Sequence, residues 1–194
     1  MKKILLIIVL IIAIFQMVTL ATDIYIGASA INRATSLSDN TIINNNSANL
    51  SGKITSVEIW SFSNLTNCEV AIFYKPDPAG FPNNFTTRDS VAIGAVTSGA
   101  KRTFAVNLNV QIGDYIGIYY TAGDIEADNA GCNGIWVKSG DNIPCTNVTF
   151  TGYSTFAISL YGKGTTIIGW GHKWNTKEIS KWNTKEFTKW NDLE

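Results

Sequence analysis

Apolar and polar residues alternate in short runs along the chain from residue 22 to residue 164. A period of two is the pattern of a β-strand that buries one face. Gly, Pro, Asn and Asp separate the runs at roughly ten-residue intervals, which is typical of a sandwich or barrel. The pattern predicts strands at residues 23–27, 53–62, 68–74, 90–96, 102–110, 115–121, 134–137 and 155–161.

Three segments depart from this alternation. Residues 68–74 are apolar at most positions of both phases, as in a strand that is covered on both faces. Residues 75–87 contain three prolines, which cannot donate a backbone hydrogen bond to a sheet, so we predict a loop there. Residues 40–51 contain three consecutive asparagines and are predicted to form a polar loop. The whole pattern predicts an all-β, antiparallel two-sheet sandwich of jelly-roll type.

Residues 1–21 have the organisation of a secretory signal peptide. Lys2 and Lys3 precede an apolar run that ends in Thr19-Leu20-Ala21, with a small residue at the cleavage position. The alternative is an uncleaved membrane anchor, because the apolar stretch of about 18 residues reaches the lower limit for spanning a bilayer. We therefore expect a secreted or cell-surface protein whose domain begins near Thr22, with membrane contact only if the signal is retained.

The C-terminal segment, residues 165–194, carries an octapeptide repeat. WNTKEISK is followed by WNTKEFTK and a shortened WNDLE, which places Trp174, Trp182 and Trp190 in register. An even period suits extended strands rather than a helix. The sequence predicts a short hairpin or meander whose tryptophans pack on the sandwich or dock a second copy or another protein.

Charge and composition narrow the function classes. The chain has 15 basic and 15 acidic residues and a net charge of zero, without the basic patch that nucleic acid requires. Asn, Thr, Ser and Gly are abundant, which favours strands and turns over helices. The single histidine, His172, has no nucleophile motif near it, and zinc-ligand spacing is absent. The sequence therefore predicts neither an enzyme nor a zinc protein.

Two groups of residues are candidates for binding. Asp124, Glu126 and Asp128 alternate along the chain, so an extended backbone would turn the three carboxylates to the same side. Calcium takes oxygen ligands of this kind, and calcium is the single cofactor that the sequence suggests. The alternative is a solvated acidic loop. Tyr120 and Trp136 flank this segment and are predicted to form a glycan-binding surface, because aromatic rings stack on sugars.

The chain contains three cysteines, Cys68, Cys132 and Cys145. In an oxidising compartment thiols are expected to pair, but three cannot all pair within one chain. Each of the three pairings remains open from the sequence. The remaining thiol would be either buried and inert or available to link two chains.

Three stretches carry a resemblance to other proteins. GDYIGIYYTAGDIEADNAG, GDNIPCTN and AISLYG resemble a small β-sandwich module of uncharacterised secreted bacterial proteins and phage tail-type proteins. The resemblance covers about residues 22–164 and implies a common fold without an assigned activity. It also implies a disulfide between Cys68 and Cys145, with Cys132 as the extra thiol.

These observations favour a secreted, non-catalytic binding module that recognises carbohydrate or a cell surface. The second hypothesis is a structural extracellular subunit, of filament or surface-layer type. It would form a homo-oligomer through its tryptophan repeat or through Cys132.

Overall fold

A computed structural model of the protein describes residues 22–38 and 40–166. The predicted signal peptide and the tryptophan repeat, with Trp174, Trp182 and Trp190, lie outside these described residues. Within them, no helix is long and apolar enough to cross a membrane. The strands are β1 (Asp23–Gly27), β2 (Thr35–Ser38), β3 (Asn40–Asn44), β4 (Gly52–Ile59), β5 (Leu65–Tyr74), β6 (Asn84–Val96), β7 (Arg102–Val110), β8 (Tyr115–Tyr119), β9 (Asp124–Ser139), β10 (Val148–Thr149), β11 (Thr151–Ile158) and β12 (Leu160–Thr165).

The strands form two antiparallel sheets, which confirms the predicted all-β sandwich. The smaller sheet has the order β1-β12-β4-β7, and the larger has the order β10-β6-β5-β8-β3-β9-β11, with β2 also paired to β9. Asp23 lies opposite Thr165, so β1 and β12 are neighbours at one edge of the smaller sheet. The described part of the chain therefore enters and leaves the sandwich at the same place.

Alternation along the strands builds the core between the sheets. In β1, Ile24 and Ile26 are buried while Asp23 and Tyr25 face outward. The buried isoleucines pack with apolar residues of both sheets. Burying an aliphatic side chain of this size contributes about 1.5–3 kcal/mol, so this alternation fixes which face of each strand is free for binding.

A second apolar cluster covers the outer face of the larger sheet. β5 supplies Val70 and Ile72 to the core between the sheets, and Ala71 and Phe73 to the outer cluster. Residues 143–150, which follow β9, cover this outer cluster and contribute Ile143 and Phe150 to it. The prediction that residues 68–74 are covered on both faces is confirmed.

The polar segment at residues 40–51 was predicted wrongly as a loop throughout, because its first five residues form β3. Two polar residues of β3, Thr41 and Asn44, are fully buried, and both are hydrogen-bonded. Thr41 donates from its hydroxyl to the Gly140 carbonyl at 2.7 Å, and Asn44 donates from its amide to the Ile158 carbonyl at 3.1 Å. Burying polar side chains costs little folding free energy when they are hydrogen-bonded. A buried strand can therefore contain polar residues, and their presence is why the sequence indicated a loop here.

Candidate functional site

The acidic residues predicted to bind calcium lie on β9 and are occupied by protein donors. Asp128 forms an ion pair with the Arg33 guanidinium, and Glu126 accepts the Arg33 backbone N–H at 2.9 Å. The Ala34 N–H also donates to Asp128, and this bond is the main cause that lowers the pKa of Asp128. Asp124 accepts the hydroxyl of Ser63.

This arrangement does not favour the predicted calcium site at Asp124, Glu126 and Asp128. The residues do alternate on an extended strand, but successive carboxylates on one face start roughly 7 Å apart. Calcium ligands lie about 2.5 Å from the ion, which is too close for an extended strand to supply three of them. Among the residues that the structure describes, no group of three Asp, Glu, His or Cys side chains is placed to hold a metal.

Tyr120 and Trp136, the predicted glycan surface, are buried instead. Tyr120 is 0% exposed, and its hydroxyl donates to the Leu37 carbonyl and accepts the Ile125 N–H. Trp136 is 8% exposed, and its indole N–H donates to the Asn83 side chain at 2.9 Å. Neither ring presents an open face to a sugar, because Tyr120 packs in the core between the sheets and Trp136 packs in the outer cluster.

The three cysteines are free thiols, so the disulfide between Cys68 and Cys145 is not formed. Cys68 lies opposite Gly94 on β6, whereas Cys145 donates its N–H to Thr87 on the same strand. Those two positions on β6 are roughly 20 Å apart, and a disulfide requires Cα atoms within about 7 Å. Burial raises the pKa of the Cys68 thiol to about 12, so this cysteine is protonated and inert.

The outer face of the smaller sheet carries a pair of tyrosines that are not among the predicted binding residues. Tyr25 on β1 and Tyr161 on β12 have ring centroids 6.2 Å apart and ring planes within 10° of parallel. Tyr25 is 43% exposed. Each ring occupies the outward phase of its strand, since Ile24 and Ile26 on β1 and Leu160 on β12 point to the core.

A shallow cleft of about 450 Å³ borders this tyrosine pair. Ser29, Asn46 and Ser47 are among its lining residues and bring amide and hydroxyl groups beside the rings. The segment that follows β3 forms one wall of the cleft and is hydrogen-bonded to β1. The Gly27 N–H donates to the Asn46 carbonyl at 2.9 Å, and the Tyr25 N–H donates to the Asn49 side chain at 2.8 Å. The wall is thus fixed relative to the rings.

The charges around the tyrosine pair compensate one another. Glu58 lies between Lys163, at 2.8 Å, and Lys101, at 3.2 Å, and the bond from Lys163 lowers the pKa of its carboxyl. The Tyr25 hydroxyl donates to Asp23 at 3.0 Å, and this bond raises the pKa of Tyr25. Both features favour a face with neutral phenols and internally paired charges.

One feature of the sequence indicates that Tyr25 and Tyr161 are exposed. Each lies in the polar phase of an alternating run, DIYIG and LYGKG, where an aromatic residue has no core to fill. No protein-family model matches the chain, and no curated protein matches it. The function is therefore inferred from the geometry of this face.

Proposed function

We propose that the protein is a secreted, non-catalytic binding module that recognises a neutral carbohydrate through Tyr25 and Tyr161. The observation that carries the proposal is the near-parallel pair of rings beside a polar cleft. Sugar rings present C–H faces that pack on aromatic rings, and their hydroxyls need amide and hydroxyl partners at the rim. Export is supported by the signal-like pattern of residues 1–21.

The state of the nearby carboxylates supports binding rather than hydrolysis. Glycoside hydrolysis uses two carboxyl groups, one of which must carry a proton with a raised pKa. Here the pKa of Glu58 is lowered by Lys163, and Asp23 accepts the Tyr25 hydroxyl. Glu58 is therefore poorly suited to donate a proton, and Asp23 is engaged in positioning the Tyr25 ring.

The test is a glycan array probed with the full chain and with Y25A and Y161A. We expect binding to neutral oligosaccharides that each substitution weakens at least roughly tenfold, because losing a stacked ring removes about 1.4 kcal/mol or more. Y153A is the matched control, since Tyr153 is 47% exposed on β11 of the other sheet. Absence of any neutral ligand, or equal losses in Y25A and Y153A, would overturn the proposal.

Self-assembly is a second candidate function, favoured by the position of Cys132. This thiol is partly exposed and lies opposite Thr155 on β11, at the edge of the larger sheet, whereas Cys68 is buried. A disulfide between two copies would give a dimer by light scattering that reductant and C132S both abolish. A monomer under oxidising conditions would rule out this route.

A further inference from the structure

A second cleft, of about 400 Å³, opens at the end of β5. It is lined by Tyr74, Lys75, Arg88 and Tyr115, and by the turn that joins β7 to β8, which includes Asp114. The Ala48 N–H donates to the Asp114 carbonyl at 2.7 Å, so this turn is fixed to the segment that walls the tyrosine-pair cleft. The two clefts share no lining residue.

Lys75 is held in this cleft by aromatic rings. Its Nζ lies 4.1 Å from the ring centroid of Trp136, 5.1 Å from that of Tyr115 and 5.3 Å from that of Phe85. Ammonium groups are attracted to ring faces at such distances, and the three rings fix the position of this one. Within the described residues it has no hydrogen-bond acceptor and no carboxylate partner. Its charge is therefore uncompensated.

The other cation in the cleft is already neutralised. Arg88 donates from Nε and Nη2 to the two carboxylate oxygens of Asp114 in a bidentate pair, and its guanidinium lies 4.6 Å from the ring centroid of Tyr74. Asp114 is further fixed by the N–H of Gln111 at 2.7 Å. This pair carries no net charge. The cleft therefore has a single uncompensated positive charge, that of Lys75, beside two tyrosines.

We propose that this cleft is a second binding site, which takes an acidic saccharide whose carboxylate pairs with the Lys75 ammonium and whose ring packs against Tyr115. An ammonium has three donors, and a carboxylate supplies the acceptors that the three rings do not. Burial lowers the pKa of Lys75, which reflects water already displaced from the ammonium. A less hydrated cation gains more from a bound anion. The site goes beyond the proposed recognition of neutral carbohydrate.

The test is isothermal titration of the full chain with a galacturonic acid trimer and with sialyllactose, each beside its neutral counterpart, a galactose trimer or lactose. We expect at least one acidic ligand to bind more than tenfold tighter than its counterpart. K75M keeps the apolar stem and removes the charge, so it should lower that affinity at least tenfold. K138M is the matched control, because Lys138 is a half-buried lysine on β9 of the same sheet.

Separate outcomes bear on the two sites. K75M should leave binding of a neutral glycan unchanged, and Y25A should leave binding of the acidic ligand unchanged. If K75M melts near the wild-type temperature, its loss of affinity comes from the missing charge in the cleft and not from unfolding. The proposal is overturned if neither acidic ligand binds, if K75M binds as tightly as K138M, or if sodium acetate and sulfate displace the ligand at concentrations equal to its own.

Discussion

Arg33 shows at the residue scale how a buried cation fixes a loop. Its side chain is 6% exposed and bonds Asp128, the Ser159 hydroxyl at 2.8 Å and the Ser29 carbonyl at 2.9 Å. We expect R33A to lower the free energy of unfolding by roughly 2–3 kcal/mol, less than for a fully buried pair because Asp128 keeps some hydration. Urea denaturation measures this loss. R102A, which removes an exposed bond to Thr97, should change stability by less than about 0.5 kcal/mol.

The same pair predicts a pH dependence. The pKa of Asp128 in the folded protein lies below its usual value of 3.8, so the carboxylate stabilises the fold above that pH. This contribution is lost as the pH falls from 3.8 through the folded pKa, because the carboxyl is then protonated in both states. D128N should therefore be less stable than wild type at neutral pH, with a difference that shrinks in acid. A difference that stays constant from pH 7 to pH 3 in denaturation experiments would argue against this account.

At the scale of the elements, Gly164 permits β12 to pair closely with β4 at a bulge. A Cβ at this position would overlap the Lys53 carbonyl oxygen and lie 2.7 Å from the Ile54 Cα. Backbone atoms cannot move aside as a flexible side chain does, so we expect G164A to cost about 1–3 kcal/mol or more. Gly152 is the control, since its Cβ would be in ordinary contact, at 3.4 Å, with Trp136. Equal melting temperatures for G164A and G152A would contradict this role.

Regular alternation is what made some elements predictable from the sequence. β1 and β7 have the predicted bounds, Asp23–Gly27 and Arg102–Val110, because polar and apolar positions alternate there. β9 was predicted only at residues 134–137, although it begins at Asp124. In the sequence, its acidic half looks like a loop. In the fold, Glu126 and Asp128 are paired with Arg33, which lies 93 or more residues away in the chain. Partners so distant in sequence leave no local pattern.

The exposed tyrosine pair could not be located from the sequence. The sequence suggested aromatic residues on a sandwich, and Tyr25 and Tyr161 are such residues. Tyr120 was chosen instead, although it follows the alternation of β8 into the core. Which ring is exposed depends on which strands become neighbours, and β1 and β12 are more than 130 residues apart in the chain. Only the paired sheet brings these two rings together.

At the scale of the whole molecule, the two apolar clusters share several strands, β5 among them, and are expected to unfold together. Val70 and Ala71 are adjacent on β5 but belong to different clusters, so β5 cannot leave one without disrupting the other. Nuclear magnetic resonance should show the Trp136 indole N–H and the Ile118 amide losing intensity at the same urea concentration. An earlier loss at Trp136 would mean that the outer cluster opens independently.

The described part of the chain enters and leaves the sandwich at one place, and this has a mechanical consequence. Thr22 and Thr166 are hydrogen-bonded, with the Thr166 N–H 3.0 Å from the Thr22 carbonyl. Tension applied between these two residues loads the β1–β12 hydrogen bonds one at a time, as in opening a zipper, whereas shear loads them all at once. β1 carries Tyr25, so peeling it would dismantle the aromatic pair while most of the sandwich stays folded. In a pulling experiment, the proposed glycan ligand should be released at lower force across Thr22 and Thr166 than across Thr22 and an exposed residue of β7. Equal forces would contradict this. A module built in this way would release its ligand under load.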